Sequence, residues 1–122
     1  MNSYCHLVLI LYTMYMKRNT PKKGAVRVII FKDTKENQWY GVGLEFNIVV
    51  SADTAQEVQY ELSEAMSGYI EAHREIKGLR DFSALNQKAD DKYEKLWTTL
   101  QDNKRIPSPY QVNFYGVKRI NA

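Results

Sequence analysis

Two histidines, one cysteine and a Gly41-Val42-Gly43 step are the residues of this 122-residue chain whose types invite a chemical reading. Catalysis needs a nucleophile beside a base, an acid–base pair, or a metal. His6 and Cys5 lie together in an apolar leader, and His73 stands alone on the flank of a helical stretch. No spacing of His, Cys, Asp or Glu matches a zinc site. Gly41-Val42-Gly43 lacks the third glycine and the following helix of a dinucleotide-binding turn. The sequence therefore predicts no catalytic residue, no metal ligand and no cofactor. It reads as a binding protein.

Charge placement says more than the net charge of +3, which is too small to require a nucleic acid. From Lys17 to Lys35 there are seven basic residues and one acid; from Glu45 to Glu75 there are seven acids and one base; after Asp102 there are only bases. Such asymmetry predicts an electropositive end and an electronegative helix. At 100° per residue, Glu57, Glu61, Glu64, Glu71 and Glu75 project within about 40° of one line along a helix. That row is either an ordinary solvated face or a docking stripe for a basic partner. In the basic stretch, Lys17, Arg18, Lys22, Lys23 and Arg27 are candidate phosphate contacts, although lead-in peptides are often basic with no ligand.

These groups need a scaffold, and 122 residues with 44% hydrophobic and 25% charged content provide one ordinary domain. A single cysteine excludes an intrachain disulfide and fits a reducing, cytoplasmic setting. Cys5 to Met16 is apolar but shorter than the roughly 20 residues that span a bilayer. It has no signal-peptide layout, because charge follows the run at Lys17 and Arg18. Three readings stay open: a juxtamembrane anchor, an upstream stretch preceding a true start at Met14 or Met16, or an extra strand or short helix. Residues 1–24 are accordingly an appendage with a solvated basic lead-in, and residues 25–122 the domain.

Ala25–Lys32 is strand-like, with Val26, Val28 and Ile30 on one face. After a polar hairpin loop, Trp39–Glu45 forms a second strand and Ile48–Ser51 a third, with a corner within residues 45–47. The even positions Tyr40, Val42, Leu44, Phe46, Ile48 and Val50 are all apolar, which predicts one buried face. Gly41 and Gly43 either admit a close neighbour or mark a bulge. Thr54-Ala55-Gln56-Glu57 is a capping box that opens a helix. Its apolar sector comprises Val58, Leu62, Ala65, Tyr69 and Ile76, flanked by Met66 and Ala72, and Gly78 ends it. Phe82 and Leu85 tuck a connector onto the core, Asp90–Gln101 is a second helix, and Tyr110–Arg119 a last strand beyond Pro107 and Pro109. The expected architecture is α+β, order β-β-β-α-α-β: an antiparallel sheet with both helices packed on one face. The terminal strand is an edge, and Tyr110, Phe114 and Tyr115 could bury there against a second copy, which predicts a homo-oligomer formed through sheet edges.

From Trp39 to Ala72 the sequence resembles the HicB-like antitoxin family. That family's strands lead through a G-D-T-x-x-E-A turn into a helix reading L-x-E-A-x-x-x-Y-x-E-A. The matching stretches are Ala52-Asp53-Thr54-Ala55-Gln56-Glu57-Val58 and Leu62-Ser63-Glu64-Ala65-Met66-Ser67-Gly68-Tyr69-Ile70-Glu71-Ala72. With the first strand, the resemblance covers about residues 25–76. It implies a partial dsRBD-like core and a partner, a HicA-type toxin, which is a small basic ribonuclease. Ala52 and Val58 depart from the family's Gly and Ala, and the P-x-L-P-G loop is missing. The chain ends in a helix and a Pro-bounded strand where family repressors carry a DNA-binding unit. The DNA-binding half of the family's role is therefore not carried over, and the alternatives are a HicB-fold interaction or structural module without a toxin partner, or nucleic-acid binding through the basic N-terminal arm.

Overall fold

The computed structural model describes residues 18–76, 78 and 81–121; Lys17 and the apolar leader lie outside them. The elements follow the expected order: β1 Lys23–Asp33, β2 Gln38–Gly43, β3 Ile48–Ala52, α1 Ala55–Arg74, α2 Asp91–Gln101 and β4 Tyr110–Asn121. All strand pairs are antiparallel, in the order β3-β2-β1-β4. The protein is thus an α+β domain with a four-stranded sheet.

The helices do not share a face, contrary to the sequence-based expectation. Val26, Val28 and Ile30 of β1 pack with Val58, Leu62 and Met66 of α1. Ile29 and Phe31 pack with Val42, Leu44 and the α2 residues Tyr93 and Leu96. Adjacent strand residues point to opposite faces, so α1 and α2 lie on opposite sides of the sheet. β1 explains why. Its run Val28-Ile29-Ile30-Phe31 is buried throughout, as expected of a central strand covered on both faces.

The row of apolar even positions from Tyr40 to Val50 is likewise split between the two cores. Leu44–Phe46 forms a 3-10 turn closed by Asn47 at φ +53°, which interrupts the alternation. Tyr40, Val42 and Leu44 consequently face α2, whereas Phe46, Ile48 and Val50 face α1.

Local signals for α1 are realised at its start. Thr54 caps the helix, its hydroxyl oxygen accepting from the Glu57 N–H at 3.1 Å. Gly41 and Gly43 admit a close neighbour: a β-carbon on Gly41 would lie 2.7 Å from Val58 Cγ1, and one on Gly43 3.3 Å from Met66 Sδ. At the other end the helix stops at Arg74, before the expected apolar position Ile76, which is exposed. Phe82 and Leu85 do join the α1 core.

The lead-in is only partly solvated. Asn19 is buried; its Oδ1 accepts from the Ala25 N–H at 2.7 Å and its Nδ2 donates to the Leu85 carbonyl at 2.9 Å. The chain from Asn19 onward therefore belongs to the domain, with Lys22 and Lys23 on its surface.

β4 carries one more departure. Phe31 pairs with Val112 but Ile30 pairs with Phe114, so Asn113 is an extra residue in a bulge. The bulge separates residues whose alternation suggests a shared face. Tyr110 and Val112 join the α2 core, and Phe114 turns to the α1 side.

Candidate functional site

Burying Val58, Leu62 and Met66 fixes the rotation of α1 about its axis. The glutamate row lies about 140° from that buried line at 100° per residue, and so it faces solvent. Glu57, Glu61, Glu64, Glu71 and Glu75 are all exposed. From Glu57 to Glu75 the row runs for roughly 27 Å at the helical rise of 1.5 Å per residue. Glu71 is ion-paired with Arg74, whose Nε donates to the Pro21 carbonyl at 2.8 Å. Among the described residues, Glu57, Glu61, Glu64 and Glu75 make no ion pair. The structure thus brings all five sequence-predicted stripe residues onto one open face, with the charge at its C-terminal end partly offset.

The candidate phosphate contacts separate. Lys17 lies outside the described residues, while Arg18, Lys22 and Lys23 are exposed. Arg27 leaves the set. Its Nε donates to Glu45 at 2.5 Å and its two terminal nitrogens donate to Glu94 at 2.9 Å each. The guanidinium also lies 5.6 Å from the centroid of the Trp97 ring. Burial opposes the charge on Arg27, but the two carboxylates outweigh it and raise its pKa. In return, hydrogen bonds from Arg27 hold the Glu94 carboxyl below its usual range, against the opposing effect of burial. All three nitrogens of this guanidinium are committed to carboxylates, so it clamps α2 to β1 and does not present itself to phosphate.

Antiparallel pairing of β1 and β4 reveals what the linear sequence kept apart. Lys23 is opposite Asn121, Ala25 opposite Arg119 and Val26 opposite Lys118. The basic start of the domain and the basic end of β4 therefore form one end of the sheet. Lys118 Nζ donates to Ser63 Oγ at 2.8 Å, and Arg119 is exposed. No sequence signal reports this pairing, because it depends on which strand lies beside β1.

Cys5 and His6 lie outside the described residues, and His73 has structural partners. His73 Nδ1 lies 2.7 Å from the Tyr69 carbonyl, and its ring packs on Tyr69 at 4.6 Å. The Tyr69 hydroxyl donates to the Ala84 carbonyl and accepts from Gln87 Nε2. Among the described residues no three His, Cys, Asp or Glu side chains are grouped as metal ligands would be, and no helix is long and apolar enough to cross a membrane. Compared with protein-family models, curated proteins and solved structures, the chain matches none, so any account of its role rests on these surfaces.

Proposed function

We propose that the protein is a stoichiometric binder whose α1 face docks a basic protein, in the manner of a HicB-type antitoxin covering a small cytoplasmic ribonuclease. The observation that carries the reading is the exposed glutamate row, held in a fixed orientation by the buried face of the same helix. Opposed charge accelerates encounter and selects the partner more than it tightens the final complex. The Asp53-Thr54-x-x-Glu57 turn adds support, since it passes from β3 into a capped helix as the resemblance implies.

The test requires a neighbouring reading frame that encodes a small basic protein, as the resemblance implies, and its absence would remove the antitoxin reading. Glu61→Lys with Glu64→Lys exchanges two exposed side chains and should leave the unfolding transition in place. Association at low salt should slow by about tenfold or more, because steering depends on the summed charge. An on-rate indifferent to that reversal would remove the stripe from the argument. Growth arrest by the neighbouring protein that co-expression does not relieve would remove the antitoxin reading.

A second reading is nucleic-acid binding, favoured by the gathering of Lys22, Lys23, Lys118 and Arg119 at one end of the sheet. It requires affinity that falls steeply with salt and flattens on Lys22→Glu with Lys118→Glu. A titration insensitive to both dismisses it.

A further inference from the structure

The two edges of the sheet differ. β3 is five residues long, whereas β4 runs for 12 residues and, among the described residues, has β1 on one side and no strand on the other. Along β4, Phe114, Tyr115 and Val117 are 48%, 41% and 57% exposed. Native edge strands are generally kept short, charged, covered or interrupted, because an open row of backbone donors and acceptors invites another strand. The bulge at Asn113 interrupts the first part of β4. From Phe114 onward the edge is regular and apolar until Lys118.

We infer that β4 pairs with β4 of a second copy, antiparallel about a two-fold axis at Gly116, to give a continuous eight-stranded sheet. The residues themselves select this register. Two-fold pairing centred on Gly116 sets Tyr115 opposite the partner's Val117, twice over, on the α2 face. These are the aromatic and β-branched side chains left exposed there, and such cross-strand pairs are favourable. On the α1 face the same register sets Phe114 opposite the partner's Lys118, ring against ammonium. It sets Arg119 opposite Asn113. A register centred two residues further on would place Lys118 opposite itself, and like charges directly opposed are unfavourable. Gly116 at the axis is covered by the Phe114 ring of its own strand, which lies 2.9 Å from where a β-carbon would stand.

Charge and area argue for a second copy as the occupant. The segment from Phe114 to Lys118 is self-complementary, and an isologous contact needs that property alone. Covering the exposed parts of Phe114 and Tyr115 removes roughly 200 Å² of aromatic surface per copy, given 150–250 Å² for a fully buried ring. With Val117 and the strand edges added, the contact stays below the ~1,200–2,000 Å² of stable specific interfaces and falls among weak, transient ones. The dimer is therefore expected to depend on concentration and not to be obligate.

Sedimentation velocity of the full chain from about 1 to about 100 μM, the range of ordinary transient complexes, should show a monomer passing into a dimer. Val117→Lys and Tyr115→Glu should each weaken the dimer by about 100-fold, since each buries an unmatched charge. In a mixture of the two variants, one of the paired positions holds the new ammonium directly opposite the new carboxylate. Association should then return, which only the Gly116 register explains. Val117 is the most exposed of the three side chains, so Val117→Lys should unfold like the parent. Deuterium exchange of the unmodified protein at the two concentrations checks the same edge with no substitution: β4 amides should slow at the higher one. A monomer throughout the range, or a Val117→Lys dimer as tight as the parent, overturns the proposal, and mixed variants that stay monomeric overturn the register. A monomer that instead retains a single-stranded RNA oligonucleotide assigns the edge to nucleic acid and also overturns it. No arm involves a basic partner protein, so these outcomes are independent of the α1 docking reading.

Discussion

Gly41 offers the most direct check on how α1 is held against the sheet. A β-carbon added there would meet Val58 Cγ1 at 2.7 Å, Leu62 Cδ2 at 3.2 Å and Val50 Cγ2 at 3.3 Å. The first distance is shorter than real carbon contacts permit, and Val58 and Leu62 are both buried, so neither side chain can swing into solvent. Gly41→Ala should therefore cost about 1–3 kcal/mol through overpacking, offset by roughly 0.5–1 kcal/mol because alanine has less chain entropy to lose. A net loss of about 1–2 kcal/mol follows. Val58→Ala deletes two buried methyl groups and should cost about 2 kcal/mol or somewhat more. In the double variant the new methyl enters the space that the valine vacated, so the combined loss should fall short of the sum by about 1–2 kcal/mol. Urea unfolding followed by tryptophan fluorescence measures all three, with Trp39 packed against the α1 core and Trp97 against the α2 core as reporters of the two faces. Additivity within about 0.5 kcal/mol, or a Gly41→Ala protein more stable than the parent, would refute the close approach.

Two further substitutions probe the clamp and the lead-in. Glu94→Gln should destabilise by about 1–2 kcal/mol at neutral pH, the range of a charge-assisted hydrogen bond reduced for a side chain one quarter exposed. The folded protein depresses the Glu94 pKa, so its contribution is complete above the unfolded value of ~4.3 and disappears as pH falls through the folded one. The gap between parent and variant in acid-denaturation curves should close there, and a gap independent of pH would count against the clamp. Asn19→Ala removes the acceptor for the Ala25 N–H and the donor for the Leu85 carbonyl. It should cost about 1–3 kcal/mol and speed proteolysis near Arg18 and Lys22, and unchanged cleavage would mean the lead-in is held in some other way.

What the sequence disclosed follows the range of the interactions involved. The Thr54 cap, the 3.6-residue pattern of α1 and the Tyr93-Leu96-Trp97-Leu100 face of α2 are local devices, and each is formed where its residues stand. The placement of the helices was not legible from any one of them. It depends on β1 being central, and the diagnostic Val28-Ile29-Ile30-Phe31 run satisfies alternation on either face equally well. The break at Leu44–Phe46 was masked for a similar reason. A 3-10 turn that ends in a left-handed Asn47 reverses the faces without disturbing the apolar count on even positions. As for the candidate sites, the glutamate row could be read because helix geometry alone fixes it. Arg27 misled, because its partners are 18 and 67 residues away in the chain.

The two proposed surfaces are compatible because the sheet keeps them apart. α1 packs over β2 and β3 as well as β1, and its glutamates point away from the sheet, whereas the edge left open among the described residues belongs to β4 on the far side of β1. A two-fold axis normal to the sheet returns each face to itself. Both copies of α1 would then lie on the same side of the eight-stranded sheet and present two parallel-sided acidic rows to one side. Bivalency raises apparent affinity only where both sites can be engaged at once. A partner that is itself dimeric should therefore lose more than about tenfold in apparent affinity when Val117→Lys separates the copies, while a monomeric partner should bind that variant as it binds the parent. A dimeric partner indifferent to Val117→Lys would place the two surfaces in separate roles.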